Sequence, residues 1–265
     1  MTIIQAIIIA IVEGLTEYLP ISSTGHMILA TSILGIEPDD FVKFFTINIQ
    51  LGAILAVVVL YFKRFFKSFD FYLKLFISFF PAAVLGILFS DKIDELLESP
   101  STVAVMLLIG GVFLLFVDRF FDDKDKHLKT KVSNQSAFII GLYQCIAMVP
   151  GVSRSAATII GGLQQKLTRK TAAEYSFFLA VPTMFGATAK KVLDFHDKKL
   201  DFFSHDRIFL LAIGNLVAFV VAMVAIKAFI TFLNKYGFRL FGWYRIIVGG
   251  TILLLLGSDM SLSIV

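Results

Sequence analysis

Long apolar blocks separated by short polar stretches set the rhythm of this chain. Five cover residues 44–62, 71–90, 102–117, 208–233 and 243–257, and a weaker sixth covers 175–189. A helix needs roughly 20 residues to cross a bilayer. Barrel strands would instead alternate apolar and polar positions, so the pattern predicts about six membrane-spanning helices. Pro81 and Pro182 fall inside two of them and predict kinks. Two further apolar pieces are too short to cross. Residues 2–12 stop at Glu13, and residues 136–149 stop at Pro150. Each leads through a polar, Ser-containing turn into a second short apolar piece, at 27–34 and 156–163. Short helix, polar turn, short helix is the pattern of a re-entrant hairpin, whose irregular backbone is tolerated when buried in protein or lining a wet cavity.

The two hairpins suggest an internal repeat. An offset of 130 residues lays Pro20 on Pro150 and Ser23 on Ser153, and lays the block 44–62 over 174–192. The expectation is one membrane domain, 1–265, with an inverted-topology repeat of 1–117 and 132–257. Such repeats place a site near mid-membrane between the copies.

Composition sharpens this. Of 265 residues 57% are hydrophobic and 17% charged, against about a quarter charged in soluble domains. A disordered chain and an ordinary water-soluble enzyme are excluded. The net charge of +4 is modest and falls in loops, so no nucleic-acid partner is expected. The basic loops mark the cytoplasmic side. Lys63, Arg64 and Lys67, the loop 118–135, the Lys166–Lys170 turn and the 234–242 turn then lie inside. The acidic 91–100 loop, the 190–207 loop and both termini lie outside. Residues 1–12 carry no Lys or Arg, so no secretory leader is expected there. Cys145 is the one cysteine.

The chemistry concentrates in the two turns. Glu13 and Glu17 are four apart and share a helix face. In lipid, each carboxylate costs several kcal/mol unless a cation, a proton or a basic partner compensates it. The alternative is a helix end with both carboxylates in water. Arg154 stands alone between two apolar blocks, and its planar fork suits phosphate oxygens. Ser153, Ser155, Thr158 and the Gly151 amide surround it. A structural ion pair with Glu13 or Glu17 is equally compatible with a site. Ser22, Ser23 and Thr24 are either site hydroxyls or caps of a helix starting near Gly25. With His26, these groups make a hydrolytic phosphate site plausible. The carboxylates could also hold a divalent cation bridging phosphate oxygens. Asn48 and Gln50 either face the cavity or, the simpler reading, pack between helices; the Gly pairs 110–111, 161–162 and 249–250 read as close helix contacts, and Trp243 and Tyr244 as interfacial anchors.

At these turns the chain resembles the undecaprenyl-diphosphatase family of the bacitracin-resistance (BacA/UppP) type. The pattern Glu-x-x-x-Glu then Pro-x-Ser-Ser-x-Gly-His is met by Glu13, Glu17, Pro20, Ser22, Ser23, Gly25 and His26. The pattern Pro-Gly-x-Ser-Arg-Ser-x-x-Thr is met by Pro150, Gly151, Ser153, Arg154, Ser155 and Thr158. The resemblance implies a bacterial inner-membrane enzyme with its site facing the periplasm. It would convert undecaprenyl diphosphate to undecaprenyl phosphate and inorganic phosphate, recycling the lipid carrier for cell-wall synthesis and affecting bacitracin resistance. It further implies dependence on a divalent cation, Mg²⁺ or Ca²⁺, held by Glu13 and Glu17. Ser23 would be the nucleophile, assisted by His26 and the Glu pair. Arg154 would clamp the diphosphate, and Ser22, Thr24, Gly151, Ser153, Ser155 and Thr158 would help to bind it. The partners implied are a polyprenyl diphosphate lipid and the bilayer; a homodimer is one of the open oligomeric states. Two rivals remain at this level. One is a transporter or flippase of polyprenyl phosphate built on the same repeat. The other is a lipid phosphatase with a Lys-x6-Arg-Pro stretch, which this chain lacks.

Overall fold

The computed structural model describes residues 1–37, 39–65, 68–97, 99–121, 128–197 and 204–258. The parts of the 118–135 and 190–207 loops at 122–127 and 198–203 lie outside them. The described residues form helices, with one isolated bridge between Lys129 and Leu167. The chain is an all-α, multi-pass membrane protein. Its helices are α1 (Ile3–Thr16), α2 (Ser23–Ile33), α3 (Asp40–Asn48), α4 (Gln50–Leu60), α5 (Phe62–Phe65), α6 (Phe69–Leu88), α7 (Ser90–Leu97), α8 (Pro100–Phe120), α9 (Asn134–Ile146), α10 (Arg154–Gln164), α11 (Arg169–Asp197), α12 (His205–Tyr236) and α13 (Arg239–Gly257).

Among the described residues, five stretches are long and apolar enough to cross a bilayer: Asp40–Leu60, Phe69–Leu88, Pro100–Phe120, His205–Tyr236 and Arg239–Gly257. They correspond to the five strong blocks. The first is broken at Ile49 into α3 and α4. There Asn215 of α12 accepts the Gly52 amide at 2.8 Å and donates to Asn48 at 2.8 Å. The weak sixth block lies in α11, whose 29 residues exceed the length a crossing requires. Its Phe177, Leu179 and Ala180 are fully buried. A helix enclosed by other helices needs less apolar surface than one facing lipid, which explains the faint signal. By contrast, α6 leaves Phe76, Phe80 and Ile87 exposed, and α13 exposes Trp243, Ile247 and Leu254.

The short pieces fold as two helical hairpins, α1–α2 and α9–α10. Each packs on a helix from the other half of the chain: α1 against α12, and α9 against α6. Both contacts need glycine. A Cβ on Gly14 would lie 2.8 Å from the Ala218 carbonyl, and one on Gly141 would lie 2.5 Å from the Ser78 carbonyl. The most extensive helix pair joins α8 to α13. Helix starts in the two hairpins pair at Ile3 with Asn134 and at Ser23 with Arg154. The offset is therefore 131 residues rather than the 130 expected from the prolines.

Loops that the charge pattern groups together also meet in space. The Asp118 carboxylate at the end of α8 accepts Arg169 Nη2 at 2.8 Å and the Phe238 amide at 2.8 Å. At the other end, Lys190 donates to Ser90, and the Arg207 guanidinium lies 5.1 Å from the Phe41 ring centre.

Candidate active site

α1 runs past Glu13 to Thr16, so Glu13 sits in its last turn and Glu17 caps it, the Glu17 amide donating to the Glu13 carbonyl. The chain then turns through Tyr18–Ile21 and enters α2 at Ser23. α10 starts the same way, after the 147–153 turn. In both turns the residue before the helix is a serine in the left-handed region: φ is 66° at Ser22 and 74° at Ser153. Such a conformation costs on the order of 1–3 kcal/mol at a non-glycine residue and persists where the surroundings hold it. Ser153 Oγ caps α10 by accepting the Ala156 amide at 3.3 Å. Of the two readings of Ser22, the cap is not made, because its side chain takes no cap hydrogen bond. That leaves the Ser22 side chain uncommitted on the pocket wall.

The two turns face each other. Arg154 Nη2 donates to Glu17 Oε1 at 2.9 Å, and Ser23 Oγ donates to Glu17 Oε2 at 2.7 Å. One carboxylate thus bridges the guanidinium of one hairpin and the hydroxyl of the other. The pair is mostly buried, so removing either partner would strand a charge, at a cost of about 3–5 kcal/mol. Arg154 Nη1 donates to the Ser176 carbonyl at 3.0 Å, and the guanidinium carbon lies 5.6 Å from the Tyr18 ring centre. Ser155 Oγ reaches across to the Leu19 carbonyl at 2.7 Å. Thr158 Oγ1 sits 2.6 Å from Ser176 Oγ and donates to the Arg154 carbonyl at 2.8 Å. A pocket of about 170 Å³ opens here, lined by Glu17, Ser22, Ser23, Thr24, Gln50, Gly151, Ser153 and Arg154 among others.

Ser155 and Thr158 stand behind this wall. His26 points elsewhere. Its Nδ1 lies 2.8 Å from the Ser22 carbonyl and its Nε2 lies 2.8 Å from the Tyr244 hydroxyl, against which its ring stacks. A carbonyl only accepts, so Nδ1 carries the proton, and neither nitrogen is directed at Ser23. Glu13 is buried, off the pocket wall, with Oε1 unpartnered. Gln50 lines the pocket instead of only packing between helices. Tyr244 does more than anchor at an interface. Tyr18, Ser176 and Arg245 were not singled out from sequence. Arg245 carried a signal, a charge inside an apolar span, which is itself a functional pointer.

The residues do not form a resident metal cage. Both Glu17 oxygens are engaged, and Glu13 does not reach the pocket. The described residues hold no group of three or more His, Cys, Asp or Glu suited to a metal. A hard cation such as Mg²⁺ or Ca²⁺ takes six or more oxygens.

This arrangement has relatives. The description "Bacitracin resistance protein BacA" matches residues 6–251. The chain belongs to that family. It is 62% identical over 255 residues to the undecaprenyl-diphosphatase of Flavobacterium psychrophilum, with 96% of each chain covered. It is 51% identical to that of Porphyromonas gingivalis over the whole of both chains. It is also 50% identical to that of Bdellovibrio bacteriovorus, covering 99% of this chain and 100% of the relative.

Proposed function

We propose that this BacA-family chain hydrolyses undecaprenyl diphosphate to undecaprenyl phosphate and inorganic phosphate. The observation that carries the reading is the Arg154–Glu17–Ser23 chain where the two turns meet. Arg154 binds the terminal phosphate, its fork matching two phosphate oxygens. Ser23 Oγ attacks the terminal phosphorus, and Glu17, already accepting that hydroxyl proton, takes it. The bond from phosphorus to the bridging oxygen breaks and undecaprenyl phosphate leaves. Water then releases phosphate from Ser23. Ser22, Thr24 and Ser153, on the pocket wall, donate hydrogen bonds to the diphosphate; Gly151 lets the backbone approach it. His26 acts at one remove by holding the Ser22 carbonyl. Of the residues on the pocket wall, Glu17 is the carboxylate that would face a divalent cation, and a bound cation would supply charge neutralisation.

On this reading the protein sits in the bacterial inner membrane, with the basic loops in the cytoplasm and the pocket open to the periplasm. There it recycles the lipid carrier and raises bacitracin resistance. The two hairpins are re-entrant and belong to inverted copies.

The test is phosphate release from undecaprenyl diphosphate by the detergent-solubilised chain, with and without Mg²⁺ or Ca²⁺. Release should be lost in Glu17→Ala, and terminal ³²P should be trapped on Ser23. The reciprocal packing of α1 on α12 and α9 on α6 favours one second reading, a transporter of polyprenyl phosphate. Lipid translocation in vesicles without phosphate release would select it.

A further inference from the structure

An arginine remote from the phosphate chemistry ties the two turns together. Arg245, in the apolar helix α13, is fully buried. All its partners are backbone carbonyls from three places. Nη1 donates to Pro20 O at 3.3 Å and to Val152 O at 3.0 Å. Nη2 donates to Gly151 O at 2.7 Å and to Met106 O at 3.1 Å, and Nε donates to Leu107 O at 3.4 Å. The five N–H groups of a guanidinium lie in one rigid fork. Pro20 precedes Ser22 and Ser23 in the first turn. Gly151 and Val152 precede Ser153 and Arg154 in the second. One plane therefore gathers both turns just ahead of their strained serines and fixes them to α8.

The neighbouring sequence makes room for it. A Cβ at Gly110 would lie 2.3 Å from Nη2 and 2.9 Å from the guanidinium carbon. Gly151 itself has φ +90°, a conformation that side chains resist. A buried ion without a counter-charge is expensive in a membrane protein. A purely structural contact between two turns could be made by apolar packing at less cost. What apolar packing lacks is a fixed spacing between named carbonyls.

We propose that Arg245 is a positioning residue of the hydrolytic site: it holds the two hairpin turns at the separation that lets Glu17 contact both Ser23 and Arg154. It touches neither substrate nor reacting atoms. Lysine has the charge but no planar fork and three donors instead of five, so Arg245→Lys separates geometry from charge. Gly110→Ala leaves Arg245 in place and drives the guanidinium off its carbonyls.

The experiment pairs steady-state phosphate release with hydrogen–deuterium exchange in detergent. The kinetic arm rests on the hydrolase reading; the exchange arm does not. For Arg245→Lys, kcat should fall about 10²-fold, the scale of an ångström-sized misplacement, with KM within about twofold. For Gly110→Ala the fall should be about tenfold. In both variants, peptides covering 18–24 and 149–155 should exchange faster together, with α6 and α12 peptides unchanged. Faster exchange in one turn only, in neither, or throughout the protein would overturn the proposal. So would an unchanged kcat in the variants when the wild type releases phosphate. Absence of release from the wild type, with both turns loosened in the variants, would sink the hydrolase reading and leave the clasp standing. Failure of both variants to fold would make Arg245 a requirement of the fold, contradicting a positioning role.

Discussion

The two hairpins share a backbone and divide the chemistry. Each is a short helix, a turn ending in a serine with positive φ, and an 11-residue helix. At matched positions, offset by 131, the first residue of the second helix is Ser23 in one and Arg154 in the other. At another matched pair, a buried polar residue of the preceding helix is Glu13 in one and Gln144 in the other. One hairpin thus carries the carboxylates and the hydroxyl, and the other carries the cation. A fold that repeats its geometry need not repeat its charges. Two like-charged hairpins would repel across the pocket, whereas opposite ones close the site and compensate each other in a medium where a lone charge is costly.

Changing one hairpin toward the other should break this division, most strongly at the cation. Arg154→Ala should cut phosphate release by about 10³-fold, the upper range for removing a charge-stabilising donor, and lower the midpoint of thermal unfolding, since Glu17 is left buried alone. Glu17→Gln should cost about 10²-fold, within the usual worth of a general base, read in the same release assay. Gln144→Glu puts an acid in the cationic hairpin. It should destabilise the protein by about 2–3 kcal/mol, measured by unfolding in detergent, while the folded fraction keeps most of its turnover. Tyr244→Phe removes one hydrogen bond from His26, worth about 1 kcal/mol. It should slow turnover a few-fold, and a full loss there would mean that His26 acts directly on the reacting groups.

The residues that face each other across the pocket stood out in sequence because charges and hydroxyls are conspicuous among apolar neighbours. Glu17, Ser23 and Arg154 are of this kind. Five of the six expected spans were visible as long apolar runs, and four of those expose most of their surface. α11 was faint because its neighbours enclose it, and the break at Ile49 was hidden because its cap, Asn215, lies on a distant helix. The prolines align at an offset of 130 and the helix starts at 131, because the second turn is one residue longer after its proline. Ser176 and Tyr18 join the site through contacts that tertiary packing alone creates. His26 sits beside the motif serines in sequence, yet its ring turns to α13, where Tyr244 receives it.

The central claim is that the two turns act as one unit, and a double-variant cycle on Ser23 and Arg154 tests it most directly. Phosphate release is measured for Ser23→Ala, for Arg154→Ala and for both together. Groups that act as a unit are strongly non-additive, so the double variant should be about as slow as the slower single one. Losses that multiply would show two independent contributions and contradict the account.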